Sequence, residues 1–132
     1  MTDSVGPRIL IIEDDPLLSE LIAEKLQNEK FDLRAARTGE EGLESMKRDK
    51  PDMMLLDILL PGIDGFEVLR RAKEDPDTKH IVTIILSNLG QQRDIDKGMQ
   101  LGAESYIVKV SLTLSEVVQK IRDVWQKHVQ KV

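Results

Sequence analysis

Five times along the chain a short, almost wholly apolar run gives way to a longer stretch in which apolar residues recur every three or four positions. Alternation of this kind marks repeated βα units wound into a mostly parallel sheet. Strands are expected at Arg8 to Glu13, Phe31 to Ala36, Asp52 to Asp57, Ile81 to Leu86 and Ser105 to Lys109. The first, third and fourth are almost continuously apolar, as central strands covered on both faces are. The second, Phe31-Asp32-Leu33-Arg34-Ala35, alternates, and the fifth is mixed, so both suit sheet edges. That ranking selects an α/β fold of the flavodoxin-like, doubly wound (βα)5 type, with a five-stranded parallel sheet in the order 2-1-3-4-5.

The intervening stretches carry helical stripes. Leu18, Leu21, Ile22 and Leu26 form one, and Leu114, Val117, Val118, Ile121, Val124 and Trp125 another, which puts Trp125 on the core side. Asp15 before Pro16 reads as the N-cap of the first helix. Thr113 with Glu116 reads as a capping box for the last, with Ser111 a competing cap. Between Gln91 and Gly102 the apolar anchors are few, chiefly Ile95 and Met99, with Gly98 interrupting them. The fourth helix is therefore expected to be the least firmly packed. Gly62 and Gly65 read as backbone devices of the turn after strand three.

Composition narrows the function classes. A chain of 132 residues suits one domain, expected over residues 8–132 behind a short N-terminal extension, 1–7. Nineteen Lys and Arg against 24 Asp and Glu leave a net charge of −5, and no basic stretch is long enough to follow a phosphate backbone. Direct nucleic-acid binding is not expected. The absence of cysteine excludes disulfides and thiolate metal sites. No apolar run approaches bilayer length, and the first residues have neither a basic nor an apolar leader segment. A cytoplasmic chain without membrane contact is the expectation.

The chemistry lies at strand ends. Glu13, Asp14 and Asp15 close the run Ile9-Leu10-Ile11-Ile12, and Asp57 closes Met53-Met54-Leu55-Leu56. In the 2-1-3-4-5 order, strands one and three are neighbours at the switch point of the sheet, where ligands collect. Glu13, Asp14 and Asp57 thus converge, and carboxylates so crowded repel one another unless a metal or a lysine compensates. Oxygen-only ligands suit a hard cation, Mg²⁺ or Mn²⁺, better than zinc. Both histidines, His80 and His128, lie elsewhere. Strand four delivers the hydroxyl of Ser87 to the same rim, and strand five the ammonium of Lys109.

Three segments, Ile9 to Asp15, Leu55 to Glu67 and Gly102 to Lys109, resemble the receiver domain of two-component response regulators, of the chemotaxis-regulator-like kind. The resemblance extends over roughly Arg8 to Val124. It implies that Asp57 takes a phosphoryl group from a sensor histidine kinase or a histidine phosphotransfer protein. It further implies Glu13 and Asp14 as the acidic pair, with Asp14 and the Leu59 backbone carbonyl as metal contacts beside Asp57. Ser87 and Lys109 would contact the phosphoryl oxygens, and Ser87 and Tyr106 would act as switch residues. The output surface would be helix four, strand five and helix five, acting on a downstream protein or on an output domain outside this chain. Enzymatic activity would be limited to self-phosphorylation from small donors and self-dephosphorylation.

Two positions depart from the resemblance. Val110 follows Lys109 where proline, often after a cis bond, is common in the family. A cis bond to a non-proline residue costs about 3–4 kcal/mol, so either the bond is trans with an altered Lys109 approach or the site stores strain. Leu59 and Leu89 are apolar at rim positions where polar groups often handle the attacking water, which implies slow hydrolysis of the acyl phosphate. Of the competing classes, a haloacid dehalogenase-type phosphatase needs a second aspartate where Leu59 stands. A flavodoxin-type cofactor module needs a phosphate-cradling loop where Glu13-Asp14-Asp15 would repel phosphate. A receiver-like interaction module that works without phosphorylation is the remaining rival.

Overall fold

Runs such as Ile9-Leu10-Ile11-Ile12 and Met53-Met54-Leu55-Leu56 have no polar face to offer water, so they form the centre of a sheet covered on both sides. The structure, a computed structural model, describes residues 7–130; positions 1–6 of the expected extension lie outside the described residues. In chain order the elements are β1 (Arg8–Ile12), α1 (Pro16–Gln27), β2 (Asp32–Ala36), α2 (Gly39–Asp49), β3 (Met53–Leu56), α3 (Gly65–Glu74), β4 (Val82–Ser87), α4 (Gln92–Gln100), β5 (Ser105–Val108) and α5 (Leu114–Gln130). A 3-10 turn over Lys109–Ser111, which the sequence pattern did not signal, leads from β5 toward α5. The strands are parallel in the order β2-β1-β3-β4-β5, as expected. Their ends shift by a residue from expectation, and the shift matters: β1 and β3 stop at Ile12 and Leu56, so Glu13 and Asp57 stand just beyond the ladder.

Successive strand residues alternate between two apolar layers, as a period of two demands. Leu10, Ile12, Met54, Leu56 and Ile85 pack with Phe66, Val68 and Leu69 of α3 and Met46 of α2. Ile9, Ile11, Met53, Leu55 and Ile84 pack with Ile22 and Leu26 of α1 and Val117, Val118 and Ile121 of α5.

Asp15 caps α1 through its Oδ1, which accepts from the amides of Leu17 and Leu18, and Pro16 opens the helix. The Thr113–Glu116 capping box forms reciprocally, at 2.8 and 3.2 Å, and Ser111 falls in the 3-10 turn. One stripe member, Leu21, falls short of the core, while Leu18, Leu114, Val124 and Trp125 pack partly buried against it. Leu21 is 42% exposed, because the buried stripe of α1 is only wide enough for Ile22 and Leu26. Trp125 is half-buried, its ring stacked 5.3 Å from that of His128.

α4 is sparsely anchored, in line with expectation: Ile95 is half-buried, Met99 is 44% exposed, and no side chain caps the N-terminus. Gly98, however, is no interruption. It is the one buried residue of the helix, and a Cβ there would lie 2.6 Å from Ile85 Cδ1 and 3.0 Å from the Tyr106 ring. The missing side chain is what lets α4 approach the sheet.

Gly65 makes a tighter approach still. Its amide donates to the Ile58 carbonyl at 2.9 Å, and a Cβ would collide with the Asp57 carbonyl oxygen and lie 2.7 Å from Ile58 Cα. Gly62 supplies the left-handed turn before it, at φ 76°. Both obstacles to a Gly65 side chain are backbone and cannot swing aside. The Gly65→Ala variant is therefore expected to lose about 1–3 kcal/mol to overpacking, against the gain of about 0.4–1 kcal/mol that alanine brings by restricting the unfolded chain. Denaturant unfolding checks this, and a variant as stable as the parent contradicts the close approach.

Candidate functional site

The ladder brings the site together. Ile12 pairs with Leu56, and Leu56 with Ile85, so the residues that follow β1, β3 and β4 emerge at one edge. Backbone bonds extend the order a step further: Glu13 donates its amide to the Ala36 carbonyl and Asp57 donates to that of Ile12, each at 3.0 Å. Glu13 is 3% exposed and Asp57 4%, while Asp14 faces solvent. One carboxylate oxygen from each of the three lies within 4.8 Å of the other two.

Lys109, one residue past β5, enters this cluster. Its ammonium donates to Asp57 Oδ2 at 2.8 Å and sits 2.7 Å from Glu13 Oε1. The two remaining oxygens are held by backbone: Asp57 Oδ1 accepts from the Leu59 amide at 3.2 Å and Glu13 Oε2 from the Asp15 amide at 3.1 Å. Burial pushes the Glu13 carboxyl above its ordinary pKa, and the nearby Asp57 charge acts the same way. Lys109 and the Asp15 amide offset this only in part. Burial works against the Lys109 ammonium, but its hydrogen bonds to Asp57 and Glu13 outweigh that and raise its pKa.

Three convergent carboxylates, with no nitrogen or sulfur ligand, form a donor set matched to a hard divalent cation. The structure brings together Glu13, Asp14, Asp57 and Lys109, all four named from sequence. The Lys109–Glu13 contact and the Leu59 amide on Asp57 were not foreseen. The Lys109–Val110 bond is trans, one of the two arrangements expected. No peptide bond among the described residues is cis, and Lys109 nevertheless reaches Asp57, because β5 and its register place it. Val110 itself projects into solvent, 84% exposed, and Leu59 is likewise exposed.

Ser87 ends β4, fully buried, in register with Val108 of β5. Its Oγ accepts from the Leu89 amide at 3.3 Å, and the Leu89 carbonyl accepts from the Tyr106 hydroxyl at 2.6 Å. A single loop residue thus connects the two expected switch residues. Burial, with the charges of Asp94 and Asp57, pushes the Tyr106 phenol up to about 12. Tyr106 is the chain's one tyrosine, so phenolate absorbance reports it alone. Since its folded pKa lies above the ordinary value of about 10, its contribution to stability is complete below pH ~10 and lost as pH rises through about 12. The expected absorbance midpoint is about 12 in the folded protein; a midpoint at the ordinary phenol value contradicts the observed burial.

Residues 9–122 match the response regulator receiver domain family. The DNA-binding dual master transcriptional regulator RpaA of Synechocystis sp. is 36% identical over 116 residues, 88% of this chain and 48% of that protein. The response regulator PleD of Caulobacter vibrioides is 36% identical over 105 residues, 80% of this chain and 23% of its own length. The chain spans about half or less of these curated relatives. Among solved structures, the phosphorylated cyanobacterial phytochrome response regulator RcpA superimposes with a TM-score of 0.80 at 32% identity, covering 92% of this chain and 95% of that one. A CheY-like receiver domain from Methanospirillum hungatei gives 0.88 at 24% identity over 98% of this chain and 100% of that one, which shows the fold. The chain belongs to the response regulator receiver domain family of two-component systems.

Proposed function

We propose that Asp57 is the phosphoacceptor of this receiver domain. The reading rests above all on one observation: the Lys109 ammonium stands 2.8 Å from an Asp57 oxygen at a rim that also gathers Glu13 and Asp14. The phosphoryl group comes from a phosphohistidine of a sensor histidine kinase or a histidine phosphotransfer protein, or from a small acyl phosphate. The bond from phosphorus to the donor breaks as a bond to an Asp57 carboxylate oxygen forms, and the electron pair of the broken bond leaves with the donor. Little covalent chemistry is asked of the protein; positioning and charge neutralisation carry the rate.

Each residue then has a physical task. The Leu59 amide holds one Asp57 oxygen in place and leaves the other to attack. Lys109 transfers its hydrogen bond from carboxylate to phosphoryl oxygen, and the Ser87 hydroxyl donates to another. Glu13, Asp14, Asp57 and the Leu59 carbonyl would hold Mg²⁺ or Mn²⁺, which when bound would supply the positive charge that two buried carboxylates and a phosphoryl group together require. When Ser87 turns to the phosphoryl group it gives up the Leu89 amide, the loop carrying Leu89 moves, and Tyr106 loses its carbonyl partner. The sparsely anchored α4 follows, changing the surface of α4, β5 and α5. That surface acts on a downstream protein or on an output domain beyond these residues. Residues 8–132 work as one unit behind the extension 1–7. The setting is the cytoplasm; among the described residues no helix is long and apolar enough to cross a membrane.

Intact-mass analysis after incubation with acetyl phosphate and Mg²⁺ tests the assignment. A single phosphoryl adduct is expected, dependent on the metal and lost in Asp57→Asn; an adduct that survives the substitution refutes it. The flanking residues set its lifetime. Leu59 and Leu89 offer no hydrogen bond to an attacking water, so Leu59→Asn and Leu89→Glu are each expected to shorten the adduct's half-life at least several-fold. Half-lives unchanged in both variants would show that these leucines do not limit hydrolysis.

A further inference from the structure

Two neighbouring residues fix α4 to different parts of the protein. Gly98 faces Ile85 and the Tyr106 ring. Lys97 faces α3, with its ammonium 4.4 Å from the centre of the Phe66 ring. Among the described residues Lys97 makes no ion pair, although Asp64 and Glu67 line the same cleft of about 220 Å³. The reason lies on α3 itself. Asp64 accepts the Glu67 amide as N-cap, and Glu67 is bound by Arg70 and Arg71, which hold its carboxyl down at about 2. With one Asp64 oxygen on the helix amide and Glu67 held by two arginines, the ammonium stands over the negative face of the ring.

Phe66 is not an arbitrary platform. It follows Gly65, whose amide is bonded to Ile58, the residue after Asp57. It is 8% exposed and packed with Val68 and Leu69 in the apolar layer beneath α3. Lys97 therefore ties α4 to the segment that leaves the phosphoacceptor, through an apolar layer against which Leu89 and Tyr106 also pack.

We infer that Lys97 stacked on Phe66 is a restraint that holds α4 in its resting position and so sets how readily the chain adopts its phosphorylated arrangement. The inference rests on the phosphoacceptor reading above. A contact made in one arrangement and not the other biases their ratio by its own free energy. At an exposed site a cation over an aromatic face is worth about two- to fivefold in such a ratio. For a helix with one buried residue and no capping side chain, that factor is a large share of what holds it.

The test uses Lys97→Met, which keeps the stem and removes the charge, with Lys97→Arg as the conservative rescue. Amide exchange over Gln92–Gln100 is read first in the unphosphorylated protein, where the outcome does not depend on phosphorylation. Lys97→Met is expected to speed it by about two- to fivefold, with α1 and α2 unchanged and Lys97→Arg close to the parent. The rate of labelling by acetyl phosphate is then expected to rise by a similar factor in Lys97→Met, since a larger fraction of molecules is competent. Unchanged exchange in α4 overturns the restraint. Faster exchange with an unchanged labelling rate reduces Lys97 to local packing and overturns its switching role. Absence of labelling in the parent chain overturns the phosphoacceptor reading and the switching role with it, while the exchange result still decides the restraint.

Discussion

One ammonium, that of Lys109, holds two carboxylates that the sheet has carried almost out of water. Two like charges at the ends of adjacent strands repel, and each loses hydration on burial. Removing one partner of such an arrangement typically costs about 3–5 kcal/mol, because a charge is left buried without compensation. The raised pKa of Glu13 gives the sign. A group whose folded pKa exceeds its unfolded value favours its neutral form, so the stability it lends is present in acid and lost as pH rises through that pKa. Once ionised, Glu13 works against the fold, whereas Lys109, whose pKa the two carboxylates raise, supports it until pH rises through that pKa, and the two apolar layers on either face of the sheet hold the rim in place. No need of the fold accounts for such a cluster, whereas the proposed binding of a cation and a phosphoryl group does.

Much of this was legible because the site is made of strand ends. The apolar runs mark the strands, their relative purity marks centre and edge, and a parallel register then brings Glu13, Asp57, Ser87 and Lys109 to one rim without any further information. Sequence patterns fail where the answer depends on a neighbour far along the chain. Periodicity gives the direction of a helix face and not its width, so Leu21 was grouped with Ile22 and Leu26 and proved exposed. Gly98 reads along the chain as a weakness in a helix, and in space it is the point of closest approach to Ile85 and Tyr106. Lys97 and Phe66 lie on different helices, at spacings that no single-helix pattern relates.

Val110 shows the same limit from the other side. A departure at one position seemed to put the neighbouring lysine in doubt, yet a side chain's reach is set by the strand that carries it. Lys109 follows Val108, which is in register with Ser87, and opens a 3-10 turn. Motif reading treats adjacent residues as a unit, whereas within one 3-10 turn the structure sends Lys109 into the site and Val110 into the solvent.

Rigid and yielding parts of the site follow from the same sheet. β1 and β3 are covered on both faces, and the backbone amides of Asp15 and Leu59 each hold one carboxylate oxygen, so the charges that would meet the proposed phosphoryl group are fixed in advance. On the β4–β5 side, by contrast, the polar groups are bound to loop atoms that can be exchanged, Ser87 to the Leu89 amide and Tyr106 to the Leu89 carbonyl. A charge added at the fixed side is therefore relieved by movement on the other, and α4, with one buried residue, is the element with least to lose. Direction in the proposed response comes from this asymmetry: had α4 and the loop before it been anchored as firmly as the central strands, the same chemistry at Asp57 would leave the surface unchanged.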